Sequence, residues 1–226
     1  MTIAPTDLLS TIELANGVDP THTILWMHGL GADGNDFVPI VDELELPLDS
    51  RIRFVFPHAP MRPVSINNGF VMRAWYDVLN LNFSQPEDEN GLRDSQRAIE
   101  ALLEREKQRG ITPERIVLAG FSQGGAMALQ TGLRYPEKLA GIMALSCYLP
   151  LQQTFAAEAH RANSATPIFM AHGNRDPVIP LTLAAASRRQ LLESGYAVEW
   201  HEYPMAHAVC AEEIADISAW LKRILI

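Results

Sequence analysis

The chain is poor in cysteine: Cys147 and Cys210 are the only two among 226 residues. Two thiols cannot supply the multi-bridge framework of a small secreted domain, and these two lack the close spacing of a metal site. Reduced thiols in a cytoplasmic compartment are the simplest reading. No apolar run approaches membrane-spanning length, so stable membrane insertion is not expected. Residues Met1 to Ala15 carry Asp7 and Glu13 and no basic segment followed by an apolar one, and do not read as a secretory signal. Basic residues are the minority, 18 Lys and Arg against 27 Asp and Glu for a formal net charge of -9, and they form no run. Attraction to phosphate backbones or to anionic lipid is therefore disfavoured, and nucleic acid is not an expected partner. Internal repeats, low-complexity tracts and Gly/Ser linkers are also lacking.

What is present is a globular composition, 47% hydrophobic and 20% charged, in a chain long enough to bury one sizeable core. One domain over residues 1–226 is expected. Short apolar runs at Thr23 to Met27, Ile52 to Phe56, Ile116 to Ala119, Leu139 to Leu145, Pro167 to Ala171 and Ala197 to Tyr203 read as buried strands. Leu8 to Leu14 is a candidate antiparallel edge strand. Helical patterns lie between them, at Asn35 to Glu43, Leu92 to Arg109, Gly124 to Tyr135, Leu181 to Glu193 and Glu212 to Ile224. Strands alternating with helices imply an α/β architecture, a mainly parallel central sheet covered on both faces, with sites beyond the carboxyl ends of its strands. The segment Pro57 to Gly91 fits no element well, and a loop of that length is usually functional or mobile.

The sharpest local signal is Gly120-Phe121-Ser122-Gln123-Gly124-Gly125, directly after the strand ending at Ala119 and before a helical run. Glycines flanking a serine permit a strained strand-to-helix turn that exposes its hydroxyl. A serine hydroxyl is a weak nucleophile and needs a base, for which imidazole is suited. If the acid and the base follow the serine in chain order, His160, His172, His201 and His207 compete. His207 is favoured, because Pro204-Met205-Ala206-His207-Ala208 is a loop between the last strand and the last helix. His172 follows a strand end and stays a competitor, His201 lies inside a strand, and His160 sits in a polar helical stretch. Asp176, in His172-Gly173-Asn174-Arg175-Asp176-Pro177, is the candidate for orienting the base, with capping of the next helix as the alternative role. An oxyanion needs two N–H donors. Gln123 supplies one candidate, and Leu30, in the glycine-rich loop His28 to Gly34, the other. Cys147 lacks the glycine-flanked turn of a nucleophile and reads as a buried thiol.

Taken together, His28-Gly29-Leu30-Gly31-Ala32-Asp33-Gly34-Asn35-Asp36-Phe37, Gly120 to Ala128, Pro60 to Asn67, Met72-Arg73-Ala74-Trp75-Tyr76-Asp77 and the Asp176 and His207 loops resemble the phospholipase/carboxylesterase family of α/β-hydrolases, which includes bacterial carboxylesterases and acyl-protein thioesterases. The resemblance runs through nearly the whole chain. It implies an α/β-hydrolase fold with no separate cap domain, a Ser-His-Asp mechanism that needs no metal or other cofactor, and an apolar acyl site partly lined by the loop through Trp75 and Leu81. Two departures stand out: Tyr148 where family members often have Trp, and Asn174-Arg175 where they often have His-Gly. Tyr148 is expected either to keep an aromatic wall in the acyl site, with an added hydroxyl, or only to pack in the core.

The expected function is that of a serine carboxylesterase acting on short- to medium-chain acyl esters, with thioesters and lysophospholipids as further candidates. Its partners are then small-molecule or lipid acyl esters. The alternative is an acyl-protein thioesterase acting on acylated protein, and a more distant one is an inactive hydrolase-fold binding module. A homodimer is compatible with the sequence.

Overall fold

The computed structural model describes residues 8–79 and 86–226. Its elements follow from where the apolar runs sit. β2 (His22–Met27), β3 (Ile52–Pro57), β6 (Ile116–Phe121), β7 (Gly141–Leu145), β8 (Ile168–Gly173) and β9 (Val198–Tyr203) form a parallel array. β1 (Thr11–Asn16) joins antiparallel at the edge, pairing with β3. The seven-stranded order is β1-β3-β2-β6-β7-β8-β9. Successive side chains of a strand face opposite sides, and both sides are filled. Leu25 and Met27 of β2 pack with Leu118, Ile142 and Met170 under α2 (Glu89–Gln108), α3 (Gln123–Gly132) and Leu191 of α5 (Leu181–Glu193). Ile24 and Trp26 pack with Phe54, Phe56, Val117 and Phe169 under Ile40 of α1 (Ile40–Glu43) and Ile217, Trp220 and Leu221 of α6 (Ala211–Leu225).

Chain order reverses direction at β2, with β3 on one side and β6 on the other. This is the switch point at which crevices open beyond strand ends, and the loops after β2 and β6 meet there.

The helix expected over 35–43 is shorter. Residues before Ile40 form successive i→i+3 turns, such as Asp36 N–H to Asp33 O and Val38 N–H to Asn35 O, and Pro39 has no N–H with which to extend α1 backward. The strand expected from Leu139 begins at Gly141, while those at β6 and β8 run on to Phe121 and Gly173. The segment 57–91 holds a two-stranded ribbon, β4 (Met61–Val64) against β5 (Phe70–Arg73). Asn68 and Gly69 turn its corner at φ 54° and 75°. His160 is not helical: it follows α4 (Gln152–Glu158), and its Nδ1 accepts the Ala162 N–H.

Candidate active site

β6 delivers Ser122 into a backbone conformation, φ 56° and ψ -120°, that costs energy for any residue with a side chain. Two backbone hydrogen bonds hold it there. Its N–H donates to Leu145 O at 2.9 Å, and its carbonyl accepts the Ala126 N–H at 3.0 Å. Glycine at 120 and 124 is a steric requirement: a Cβ on Gly120 would overlap the Gly124 backbone, and one on Gly124 would overlap the carbonyl of Met27. The glycines of the motif thus let α3 start hard against β6 and β2.

The loop after β9 brings His207 to the same point. Its Nε2 lies 2.9 Å from Ser122 Oγ and its Nδ1 lies 2.6 Å from Asp176 Oδ2. Asp176 is acceptor-only, so Nδ1 carries a proton and Nε2 is the nitrogen that accepts from the serine hydroxyl. The Asp176 carboxylate is fully buried. Its Oδ1 accepts the N–H groups of Val178 and Ile179 at 2.8 and 2.9 Å. Those bonds turn its own loop, and α5 is capped by Pro180 without a side-chain bond, so Asp176 does not cap that helix. The ring of Phe121 packs on His207, centroids 4.7 Å apart.

Among the described residues neither His172 nor His201 bonds to Ser122. His172 is buried, with Nε2 donating to Ile179 O at 2.9 Å and lying 3.4 Å from Asp176 Oδ2, and burial lowers its pKa. His201 stacks on Phe169 and reaches Glu199 and Asp216.

Ser122 and His207 border a cavity of about 270 Å³. Leu30, Ile66, Val78, Val178 and Ile179 give it apolar walls, and Tyr76 and Tyr148 line it as well, their hydroxyls 3.1 Å apart. Burial raises the pKa of both phenols, which keeps them neutral. Asp36 also borders the cavity, and burial together with the charge of Asp33 raises its pKa. Leu30 and Gln123 both face this space, and among the described residues neither backbone N–H donates to another protein group.

Trp75 is not on the cavity wall. It is fully buried beneath it, with its indole N–H donating to His28 O at 2.9 Å. The side-chain amide of Gln123 grips the same segment, accepting the Trp75 N–H at 3.1 Å and donating to Tyr76 O at 2.9 Å. The wall position goes to the next residue, Tyr76. Leu81 lies outside the described residues. Ile66, Val78, Val178 and Ile179 were not singled out from sequence, although an apolar pair directly after Asp176-Pro177 in an otherwise polar loop was a usable signal.

Cys147 is fully buried, its thiol pushed far up by burial, and Cys210 is half-buried; both are free. Among the described residues no group of three or more His, Cys, Asp or Glu could hold a metal ion, and no helix is long and apolar enough to cross a membrane.

Residues 12–225 match the phospholipase/carboxylesterase family model. The chain belongs to the phospholipase/carboxylesterase family. It is a serine hydrolase of the carboxylesterase and acyl-protein thioesterase-like kind, and its relatives span its length. Acyl-protein thioesterase 1 of Gibberella zeae is 39% identical over 214 residues, 91% of each chain. Acyl-protein thioesterase 1 of Neurospora crassa is 42% identical over 211 residues, 89% of this chain and 86% of the relative. Among solved structures, Arabidopsis thaliana SOBER1 superposes with a TM-score of 0.86 at 33% identity, covering 91% of this chain and 99% of that one. The carboxylesterase of Bacillus cereus shares the fold, with a TM-score of 0.78 at 17% identity over 97% and 96% of the two chains.

Proposed function

We propose that this family member is an acyl-protein thioesterase-type hydrolase that cleaves acyl thioesters and oxygen esters through an acyl-enzyme on Ser122. The observation that carries the reading is the continuous line from Asp176 through His207 to Ser122 at the mouth of an apolar cavity. Ser122 Oγ attacks the acyl carbonyl carbon while its proton passes to His207 Nε2. The buried Asp176 carboxylate stabilises the resulting imidazolium. The N–H groups of Leu30 and Gln123 receive the oxyanion. Collapse breaks the bond to the leaving thiol or alcohol, which departs with the proton from His207. A water molecule then repeats the sequence on the acyl-enzyme and releases the free acid.

Sequence alone put the small-ester carboxylesterase first. The names of the curated relatives, acyl-protein thioesterase 1 in each case, move the weight to acyl thioesters. The carboxylesterase stays as the second reading, because the cavity is compact, about 270 Å³, and walled by apolar side chains that suit a short- to medium-chain acyl group. Two unpaired thiols, one of them buried, support a reducing cytoplasmic setting.

The test is hydrolysis of S-octanoyl and S-palmitoyl peptides beside p-nitrophenyl esters from acetate to palmitate, with chelator, in the native chain and in folded Ser122→Ala. Loss of all activity in the variant, with thioesters cleaved by the native chain, is the expected result. A sharp optimum at short esters with inert thioesters assigns the carboxylesterase. Activity that survives in Ser122→Ala sinks both readings.

A further inference from the structure

The Leu30 N–H belongs to the peptide unit whose carbonyl is Gly29 O. In a planar trans peptide the C=O and the N–H point in opposite directions, so whatever holds Gly29 O also aims the Leu30 N–H. That carbonyl lies 2.7 Å from Nδ1 of His28. The other ring nitrogen, Nε2, is 3.0 Å from the backbone nitrogen of Ala59, which can only donate. Nε2 is therefore the acceptor, and Nδ1 carries the proton and donates to Gly29 O. His28 is buried, and burial lowers its pKa, consistent with a neutral ring of fixed tautomer. Gly29 O also accepts the Ala32 N–H, at a longer 3.3 Å, so His28 makes the shorter of the two bonds that hold this carbonyl.

His28 is itself anchored. Its carbonyl accepts the indole N–H of Trp75 at 2.9 Å, and Gly31 N–H donates to Arg73 O at 2.9 Å. The same short segment, 73–76, is gripped from the other side by the Gln123 amide, and the hydroxyl of Ser95 donates to Trp75 O. One buried brace thus links the two loops that carry Leu30 and Gln123.

We propose that His28 is a positioning residue for catalysis, aiming the Leu30 N–H at the developing oxyanion through Gly29 O, with Trp75 holding His28 in register. The inference rests on the reading of Leu30 and Gln123 as the oxyanion donors. A donor aimed before the reaction contributes where charge develops and adds little to substrate binding. Removing such a donor outright costs about 10²–10³ in kcat, and misaiming one should cost about tenfold to a hundredfold.

Two isosteric variants separate positioning from mere packing. The amide nitrogen of Asn can stand in for Nδ1, so His28→Asn retains the donation to Gly29 O and loses the bond from Ala59. Gln overlays Nε2, so His28→Gln retains the Ala59 bond and loses the donation. Both are assayed on p-nitrophenyl butyrate and with a trifluoromethyl ketone, whose adduct with a serine bears an oxyanion. Expected are a kcat lowered about tenfold or more in His28→Gln with KM within about twofold, a ketone affinity weakened in parallel, and substantial rescue in His28→Asn. A folded His28→Gln with native kcat overturns the proposal, as does a change confined to KM, or His28→Asn falling as far as His28→Gln. Should His28→Gln not fold by circular dichroism, Trp75→Phe, which deletes the indole donor together with part of the buried ring, must lower kcat severalfold at unchanged KM, and an unchanged kcat there overturns it equally. Ser122→Ala in the same assay separates the two levels: activity surviving in that variant defeats the nucleophile assignment, whereas native kcat in His28→Gln alongside a dead Ser122→Ala defeats only the role of His28.

Discussion

Asp176 divides its two oxygens between two tasks, and one substitution separates them. Oδ1 holds the N–H groups of Val178 and Ile179, and Oδ2 receives His207 Nδ1. Asp176→Asn keeps an oxygen for the first task, so the loop should fold. Its amide nitrogen would then face Nδ1, two donors opposed, and the ring escapes by moving its proton to Nε2. In that tautomer the base cannot accept the proton of Ser122. The expected fall in kcat is about 10³–10⁴, with KM changed little, measured on the ester series; a fall below tenfold would remove Asp176 from the mechanism. The residues of this line could be picked from sequence because each sits in a chemically marked turn: Ser122 between glycines, Asp176 before a proline, His207 in the last strand-to-helix loop. Trp75 could not be placed in that way. Composition marks it as large and aromatic, but its role as a buried brace depends on hydrogen bonds to His28 and Gln123, 47 and 48 residues away in the chain.

At the scale of elements, the parallel strands were legible because they are unbroken apolar runs, and Ile116 to Ala119 or Pro167 to Ala171 could hardly be anything else. The ribbon β4–β5 was not. It carries Pro63 and a cluster of asparagines, and half of its face is open to solvent, with Phe70 68% and Met61 58% exposed, so no core pattern is written into it. Helix α6 was legible from its period of apolar residues, yet it hides an anomaly that periodicity cannot show. Glu213, in its first turn, is fully buried, and among the described residues neither carboxylate oxygen has a hydrogen-bond partner. Burial is the main cause that pushes its pKa up to about 8, with the charge of Asp216 adding to the rise and the Cys210 N–H opposing it from outside bonding geometry. An acid with a raised native pKa binds more protons folded than unfolded, so stability is greatest below about pH 4.5, as far as this group goes, and declines as pH climbs to about 8. Glu213→Gln should remove that slope and raise stability near pH 8 by an amount of order 2–4 kcal/mol. Urea melts at pH 5 and pH 8 measure both; a variant that is no more stable than the native chain at pH 8 would show that the carboxylate is solvated or paired in solution.

For the whole molecule, the issue is whether two hydrophobic cores make one cooperative unit. One core lies under α2 and α3, the other under α1 and α6, and no helix belongs to both. The strands do belong to both: in β2, Leu25 and Met27 face one core while Ile24 and Trp26 face the other, and β6 divides Leu118 from Val117 and Ala119 in the same way. Loss of either core would therefore strip one face of the central strands and expose Val, Ile and Phe side chains along β2, β3 and β6 to water. At roughly 1.5–3 kcal/mol for each large apolar side chain so exposed, a half-unfolded state is disfavoured by more than the net stability of a typical domain. We therefore expect residues 1–226 to unfold as one domain. Tryptophans report on each side separately, since Trp26 and Trp220 lie in the α1–α6 core and Trp75 in the other. In urea, the fluorescence of a variant retaining only Trp75 and that of one retaining only Trp220 should each track that variant's own far-UV circular dichroism through a single transition. Two separated transitions, or fluorescence leading circular dichroism in one variant alone, would mean that one face loosens first, and the helices covering that face would then form a unit of their own.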